Sequence, residues 1–508
     1  MRILWLTRTA SQIQHISAET GALPVYGRRL LCIHETISQV EQRRFNSACR
    51  ATRMAQRCPY YPGRPKAVKE SSVGSLKEHG RRLMTCPYEI QMVSIPASKA
   101  LVATHRQLSV IGWLFAKWRW SRERTLLVLD EAQHILRGVL EMTKDSISLK
   151  TLKKAAKEAR RYGFNDVANE LKIAVEEYSR YPDGEHEVED ALPDINELEA
   201  VGEEVQDMKM RENIVPASHV LTVADFKLAL AGQKPLLVRE GERVFLEATA
   251  DPRDELRRIY DGWRAVITMT ATLDAELVER LTGSEVTLLR AGWPFEEDNL
   301  RAYVVTGITT RYPQRDEQLY EDAGWLIGEC SKTGKLLVFT PAYEVSSEIL
   351  RRCDGGILVE RAGMSQEEAE TVAAEFSGDG GRVLMTVYGG RLSEGVDLPS
   401  DIVLMIGVPF ARPTPRSQKL LKTLKSYGFD EDEAWLHGVA LPALFSAVQA
   451  AGRAVRGPED RALVLMADDR YRRLLRFLPR WFRERVSDQP VKLVDVPMVL
   501  ERLGRGWM

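Results

Sequence analysis

The chain has 508 residues, of which 44% are hydrophobic, and this length predicts about three to four domains with apolar cores. No apolar run approaches the roughly 20 residues of a membrane span, which excludes an integral membrane protein and predicts a cytoplasmic one. The formal net charge of −1 excludes little, because residues 28–86 carry 13 Lys or Arg against 4 Glu, whereas residues 183–207 carry 11 acidic residues and no Lys or Arg.

The first predicted element is a short apolar strand, Leu4-Trp5-Leu6, which polar residues follow at once. Thr7, Arg8, Thr9 and Gln12 would lie just past its end. Hydroxyl and guanidinium groups at such a position can contact a phosphate backbone without reading base sequence. Alternatively, Thr7 and Thr9 cap the helix that follows.

Four of the six cysteines, Cys32, Cys49, Cys58 and Cys86, fall within the basic region and are separated by 16, 8 and 27 residues. Four thiolates suffice for one 4Fe-4S cluster. Structural zinc sites usually contain short C-x2-4-C pairs, which this region lacks, and disulfides are disfavoured in a reducing cytosol. The spacing alone leaves a cluster, a zinc site and unpaired buried thiols open.

The run from Thr125 to Leu129 is apolar throughout and predicts a parallel strand buried on both faces. Asp130 and Glu131 would then lie at its carboxyl end, where open α/β sheets bind ligands. There Asp130 can hold the Mg2+ that bridges the β- and γ-phosphates of a nucleotide, and Glu131 can polarise the attacking water. The alternative is an acidic strand-to-helix turn without a ligand.

The stretch between about 146 and 244 shows helical spacing in two runs that break near Gly163. The apolar positions are Leu152, Ala155, Ala159, Tyr162, Val167, Leu171, Ala174 and Tyr178. The acidic segment that follows is interrupted by Pro193 and Gly202, and we expect a solvated flexible loop there.

From about residue 291 the pattern is α/β again, with strands predicted at 335–339, 382–386 and 402–406. Further on, Arg453 and Arg456 are three residues apart, with Gln449 one turn before Arg453. This spacing predicts one helical face on which two guanidinium groups stabilise the charge of a γ-phosphate in the transition state. The alternative is an exposed arginine pair on a surface helix.

Short motifs stand in a fixed order along the chain, and each is weak alone. They are Leu4–Gln12 (similar to motif Ia), Asp130–Gln133 (II), Thr270–Leu273 (III), Leu337–Tyr343 (IV), Gly389–Asp397 (V), Gln449–Arg456 (VI) and the tripeptide Asp469–Tyr471. Six motifs in this order resemble the XPD family of superfamily 2 DNA helicases, with the bacterial DinG-like helicases as near relatives. The likeness extends over nearly all of the chain.

The resemblance implies an α/β fold with two RecA-like motor domains, each a parallel sheet flanked by helices, and two insertions in the first. The implied segments are 1–30, 87–145 and 245–290 for an incomplete motor domain 1, 31–86 for an iron–sulfur domain, 146–244 for a helical arch, and 291–508 for motor domain 2.

The resemblance also implies roles for individual residues. Cys32, Cys49, Cys58 and Cys86 would hold the 4Fe-4S cluster, and Cys86-Pro87-Tyr88-Glu89 looks like the family's fourth-ligand sequence. Asp130, Gln133, Gly395 and Asp397 would serve the nucleotide, with Gln133 in the place of the usual His. DNA contacts would come from Thr7, Arg8, Thr9 and Gln12, and from a strand-separating surface with Tyr60, Tyr61 and Phe45. The basic run from Arg412 to Lys425 is a further candidate.

The implied activity is ATP-dependent 5′-to-3′ unwinding of DNA with ATP and Mg2+, on single-stranded and forked DNA, in repair. We expect a monomer, with repair proteins as possible partners.

One expected motif has no match in the 508 residues, a glycine-rich loop of the form G-x-x-x-x-G-K-[ST]. The nearest run, Gly328 to Lys335, has one residue too many and no Ser or Thr after the Lys. We expect it to be a helix C-terminus capped by Gly334. Two hypotheses follow: the start codon was assigned too late at Met1, or the chain is an iron–sulfur nucleic-acid binding protein without ATPase activity.

Overall fold

The computed structural model describes residues 1–61, 63–68, 72–378, 380–392 and 398–506. The strands, in chain order, are β1 (Arg2–Thr7), β2 (Leu23–Pro24), β3 (Ala100–Thr104), β4 (Thr125–Leu129), β5 (Thr143–Ser148), β6 (Gly184–Glu187), β7 (Leu236–Glu240), β8 (Arg243–Thr249), β9 (Ala265–Thr268), β10 (Leu300–Thr306), β11 (Leu336–Thr340), β12 (Ile357–Val359), β13 (Val383–Val387), β14 (Ile402–Ile406), β15 (Ala462–Ala467) and β16 (Val491–Lys492).

The α-helices, in chain order, are α1 (Ala10–Thr20), α2 (Arg28–Leu31), α3 (Gln42–Met54), α4 (Val73–Arg82), α5 (Pro87–Ser94), α6 (Ile111–Trp118), α7 (Gln133–Leu140), α8 (Leu149–Arg161), α9 (Asn165–Tyr178), α10 (Ile195–Arg211), α11 (His219–Leu230), α12 (Pro252–Tyr260), α13 (Ala275–Thr282), α14 (Glu317–Thr333), α15 (Tyr343–Leu350), α16 (Gln366–Ser377), α17 (Pro415–Ser426), α18 (Glu431–Trp435), α19 (Leu441–Ala451), α20 (Tyr471–Leu474), α21 (Arg480–Arg483) and α22 (Val496–Gly506).

The chain forms two compact units. The first unit comprises residues 1–284 and 413–427, and the second comprises 285–412 and 428–508. In the first unit, five parallel strands form a sheet in the order β2-β3-β1-β4-β9. Strand β1 pairs with β3 on one side and with β4 on the other, so that Leu4 lies opposite both Leu101 and Leu127. All three leucines are fully buried, which confirms the predicted buried strand at 125–129.

The region of the four cysteines is helical and packs against the arch insertion. A small apolar core joins them, and it consists of Ile37, Val40, Phe45, Ala48 and Ala217. Nη1 of Arg44 lies 3.2 Å from Nε2 of His219, and Nη1 of Arg57 donates to Oδ1 of Asn213 at 3.0 Å. Phe45 is fully buried, so its predicted place in an exposed stacking surface is wrong.

The arch insertion contains a sheet as well as helices. Four antiparallel strands in the order β5-β8-β7-β6 support helices α8 to α11. The acidic segment after α9, predicted to be a flexible loop, instead contains strand β6 and the 17-residue helix α10. Leu198, Val201 and Val205 form the buried face of α10, and a Cβ on Gly202 would lie 2.6 Å from Leu221. Gly202 therefore permits close packing against α11 and does not interrupt the helix.

Helix α17 belongs to the first unit although its neighbours in sequence belong to the second. The backbone N–H of Arg416 donates to Glu185 at 2.9 Å, and its guanidinium pairs with Glu247. Lys419 donates to Thr249 at 3.0 Å. These contacts hold α17 on the arch insertion, so the predicted second motor domain at 291–508 is interrupted at 413–427. Arg416 and Lys419 are occupied by protein contacts, which removes these two residues from the predicted DNA-facing run.

The second unit is built on a parallel sheet in the order β12-β13-β11-β14-β15-β10-β16. Strands β11, β13 and β14 lie within one residue of their predicted positions, and α14 ends at Thr333 with Gly334 as its C-cap, as predicted. Residues 431–451 form a helical run that is long and apolar enough to cross a membrane by length and composition alone. The sequence did not predict this run, but α19 packs in the core of this unit, and we interpret the run as a core helix.

Two glycines one turn apart in α14 provide a test of this packing. A Cβ on Gly324 would lie 2.9 Å from the carbonyl oxygen of Arg352, whereas a Cβ on Gly328 would meet nothing within 4 Å. We expect Gly324→Ala to destabilise the protein by about 1–3 kcal/mol through overpacking. Gly328→Ala should stabilise it by about 0.5–1 kcal/mol through helix propensity. Thermal unfolding of both variants measures this, and equal midpoints would contradict the close approach of α14 to Arg352.

Candidate nucleotide, DNA and cysteine sites

The acidic pair follows β4 at the carboxyl edge of the first sheet. The N–H of Asp130 donates to the carbonyl of Leu6 at 2.9 Å, which extends the β1–β4 pairing by one residue. Oδ1 of Asp130 accepts the N–H of Glu131 at 3.0 Å, and Glu131 has a φ of 48°. A left-handed conformation at a residue other than glycine costs free energy and is concentrated at functional sites.

His105 holds the backbone of this turn. Its Nε2 lies 2.8 Å from the carbonyl oxygen of Asp130, and because that oxygen only accepts, Nε2 carries the proton. Burial lowers the pKa of His105, which favours the neutral ring.

Gln12 joins the turn after β1 to the acidic pair. Its Oε1 accepts hydrogen bonds from the hydroxyl of Thr7 at 2.7 Å, from the N–H of Thr9 at 2.9 Å and from the hydroxyl of Thr9 at 3.0 Å. Its Nε2 donates to Oε1 of Glu131 at 3.2 Å. Gln12 therefore holds the carboxylate of Glu131, and fully buried Thr7 cannot contact DNA in this conformation. The predicted DNA contact of Thr7 is corrected accordingly.

Arg8 and Thr9 remain at the surface. Thr9 is the N-cap of α1 and forms a capping box with Gln12, so the capping hypothesis describes its observed contact. Nη1 of Arg8 lies 3.1 Å from Nε2 of His134, which in turn lies 3.6 Å from Oε2 of Glu131. A second chain of contacts thus links the exposed turn to Glu131.

Gln133 faces the end of β9. The hydroxyl of Thr270 donates to Oε1 of Gln133 at 2.6 Å and accepts the N–H of Thr272 at 3.1 Å. An amide therefore connects the turn after β4 to the turn after β9.

The second predicted half-site lies in the second unit, and its local geometry differs from the prediction. Helix α19 contains Gln449 but ends at Ala451, where Gly452 is the C-cap. Arg453 is half-buried in the turn beyond, and the N–H of exposed Arg456 donates to Oδ2 of Asp460 at 2.8 Å. The two arginines therefore do not share a helical face with Gln449.

The predicted nucleotide contacts Gly395 and Asp397 lie outside the described residues. The described start of the same motif is held by Glu360, which is 2% exposed. Its carboxylate accepts the N–H of Arg391 at 2.7 Å and the hydroxyl of Tyr343 at 2.9 Å. Burial and Glu360 raise the pKa of Tyr343 to about 12.

All four predicted cysteines line one cavity, together with Tyr60 and Tyr61. Burial raises the pKa of each thiol, and for Cys32, with the other three thiols nearby, to about 11. Among the described residues, no three His, Cys, Asp or Glu side chains are spaced to hold a single metal ion. Tyr60 and Tyr61 are half-buried against the cavity, and the ring of Tyr61 lies 5.0 Å from the guanidinium of Arg53.

Arg28 also lines this cavity. Its Nη2 donates to Glu89 at 3.0 Å and its guanidinium lies 3.9 Å from the ring centre of Tyr88, whereas its buried Nη1 has no partner within the described chain. Burial would raise the pKa of Glu89, but Arg28 and Lys117 outweigh it and lower that pKa. A donor without a partner at a cavity lined by thiols fits an acidic or sulfur-rich group.

Two family models match the chain. DEAD_2 covers residues 5–152, which include the cysteines and the acidic pair, and the helicase C-terminal domain covers residues 327–485, which include Arg453 and Arg456. The chain belongs to the XPD-like helicase family.

Relatives of this XPD-like chain match most of its length. The ATP-dependent DNA helicase XPD of Sulfolobus acidocaldarius is 24% identical over 80% of this chain and 75% of its own. The ATP-dependent DNA helicase CHL1 of Eremothecium gossypii is 22% identical over 94% of this chain and 70% of its own. A solved XPD helicase structure has a TM-score of 0.72 and 18% identity, and covers 93% of this chain and 88% of that one. The structural likeness confirms the predicted fold of the XPD-like chain.

The sequence of the XPD-like chain did not predict the contacts of His105, Arg28 and Glu360. Arg28 stands four residues before Cys32, and a cation so near a cysteine set was a usable signal. His105 and Glu360 carry no local signal, because their partners are distant in sequence.

The two hypotheses for Thr9, a helix cap and a DNA contact, predict different effects of its substitution. If Thr9 caps α1, Thr9→Ala should lower the free energy of unfolding by about 1 kcal/mol, and Thr9→Ser should not. Chemical denaturation measures the stability, and binding of a single-stranded oligonucleotide to the folded variants measures any DNA contact in addition. A Thr9→Ala variant as stable as the parent chain would contradict the cap.

Proposed function

We propose that the chain is an ATP-dependent DNA helicase of the XPD type, moving 5′ to 3′ on single-stranded and forked DNA. The observation that carries the proposal is the position of Asp130 and Glu131 at the carboxyl end of β4, with Glu131 held by Gln12 and His134. The direction of movement and the repair setting are inferred from the family resemblance. The cytoplasmic location and action as a monomer are further parts of the proposal.

Asp130 would hold Mg2+, and the bound ion would neutralise the charge that develops on the phosphates. Its Oδ1 accepts the N–H of Glu131, and within the described chain no donor reaches its Oδ2. Glu131 orients the attacking water, and Gln12 keeps its carboxylate in place. Arg453 and Arg456 stabilise the γ-phosphate and Gln449 orients it, while Gly395 and Asp397 couple nucleotide to DNA.

These side chains need a segment that holds the remaining phosphates. Because no G-x-x-x-x-G-K-[ST] sequence occurs in residues 1–508, the alternative function is an iron–sulfur nucleic-acid binding protein without ATPase activity. The two functions differ in the coding sequence upstream of Met1. In-frame codons for an apolar strand and this loop support the helicase, and an immediate stop codon supports the alternative.

Because residues 1–508 contain no G-x-x-x-x-G-K-[ST] loop, we expect these residues, purified by themselves, to bind single-stranded DNA and to hydrolyse almost no ATP. Glu131→Gln is the matched control, because turnover that survives it comes from a contaminant. Robust DNA-stimulated turnover that Glu131→Gln abolishes would show that these residues suffice for phosphate binding, contrary to this expectation. A chain that binds no DNA would contradict both the helicase and the nucleic-acid binding protein.

We further propose that Cys32, Cys49, Cys58 and Cys86 hold a 4Fe-4S cluster. The proposal is supported by the four thiols, which line one cavity, and by the lack of a short C-x2-4-C pair of the kind usual in structural zinc sites. The buried Nη1 of Arg28 supplies a donor toward that group. Since the neutral thiols have raised pKa values, binding must release their protons. The bound cluster would clip together a segment too small for a large core of its own.

Anaerobic purification should yield about four irons and little zinc per chain, measured by elemental analysis. Cys58→Ser and Cys86→Ser should lose the iron, whereas Cys353→Ser, in the second unit, should keep it. Stoichiometric zinc without iron would overturn the cluster assignment.

A further inference from the structure

Helix α8 of the arch insertion has one buried face and one strongly cationic face. Leu149, Leu152, Ala155 and Ala159 are buried, with Leu152, Ala155 and Ala159 at 0% exposure. The exposed positions carry six cations in 13 residues, Lys150, Lys153, Lys154, Lys157, Arg160 and Arg161. The spacing repeats every three to four residues, which aligns them along the helix.

Few of these charges have an acidic neighbour: Arg161 lies 3.9 Å from Glu212, and Lys154 contributes to lowering the pKa of Glu41. The one acidic residue of α8, Glu158, is 8% exposed and points inward, where it accepts hydrogen bonds from the N–H groups of His219 and Val220 and from Lys209. In the part of the chain that the structure describes, the four lysines of α8 form no ion pair. Other exposed lysines of the same insertion are paired, Lys172 with Glu176 and Lys234 with Glu189.

The first turn of α8 argues against a purely structural role for the lysines. Cations are favourable near a helix C-terminus, which accounts for Arg160 and Arg161. Lys150 lies in the first turn, where a positive charge opposes the helix dipole, and no acidic residue occurs in that turn to compensate it. A bound anion would offset this unfavourable charge, which makes the start of α8 a candidate anion contact.

We propose that the exposed face of α8 binds the phosphate backbone of duplex DNA. From Lys150 to Arg161 the helix rises about 16 Å, which is comparable with the length of about five phosphates along one strand of a duplex. Helix α8 contains no aromatic residue, whereas single-strand sites stack bases on aromatic rings. Helix α10 of the same insertion carries exposed acids, among them Glu203 and Glu204, which repel phosphate. Of these two helices, α8 is therefore the one that attracts a phosphate backbone. The inference rests on the proposed action on DNA but not on ATP hydrolysis.

The test compares three charge variants of the full chain across a salt series, with a blunt duplex and a single-stranded oligonucleotide as probes. For Lys150→Gln/Lys153→Gln/Lys157→Gln we expect the slope of log K against log salt for the duplex to fall by about 3. Lys150→Arg/Lys153→Arg/Lys157→Arg should restore the slope. Lys172→Gln/Lys234→Gln/Lys332→Gln makes the same change in net charge at exposed, ion-paired lysines and should leave the slope unchanged.

Each other outcome overturns the inference in an identifiable way. If the duplex slope is unchanged and single-strand binding is intact, α8 does not bind duplex DNA. The helicase proposal is unaffected by that result. An equal fall with the control variant indicates a general charge effect, and an equal fall for the single strand reassigns α8 to that ligand. If the parent chain binds neither probe, the proposed function itself fails. Circular dichroism should show unchanged helix content, since Gln and Lys have similar helix propensities.

Discussion

The register of β1 against β4 is the constraint on which the acidic site depends. Parallel pairing places Leu6 opposite Leu129, and the N–H of Asp130 continues the ladder by donating to Leu6. Two polar segments more than 100 residues apart therefore meet at one edge of the sheet. Gln12 can reach Glu131 only because the strands before both residues end at the same level. A shift of the register by one residue would turn the apolar side chains of β1 to the wrong face and separate this pair.

Buried carboxylates organise loops in both units. Glu158 accepts the N–H groups at the start of α11, Glu360 accepts those of Arg391 and Leu392, and Asp468 accepts the N–H of Thr310 and pairs with Arg470. A buried carboxylate is costly unless donors surround it, and each of these has several. Several of the donors are backbone N–H groups of turns. The hydrogen bonds therefore stabilise the buried charge of each carboxylate and also fix the course of a loop.

The two insertions of the first unit depend on each other. The small core around Phe45 includes Ala217 of the arch insertion, and Arg44 contacts His219. Burial and the nearby Arg44 lower the pKa of His219 to about 4, so its ring is neutral at this contact near neutral pH. The segment that carries the cysteines is therefore ordered partly by apolar packing, and a cluster would add to that packing.

Local patterns in the sequence were enough to predict those elements that depend on residues close together in the chain. The apolar run 125–129, the strands near 336 and 402 and the helix end at Gly334 follow from residue composition over short windows. The ordered motifs identified the family and the residue types of the acidic pair.

Tertiary structure decided the rest, because those outcomes depend on partners distant in sequence. Packing against α11 makes the acidic segment around Gly202 a helix, ion pairs with Glu185 and Glu247 draw α17 to the arch insertion, and a hydrogen bond to Glu131 makes Gln12 a support for the acidic pair.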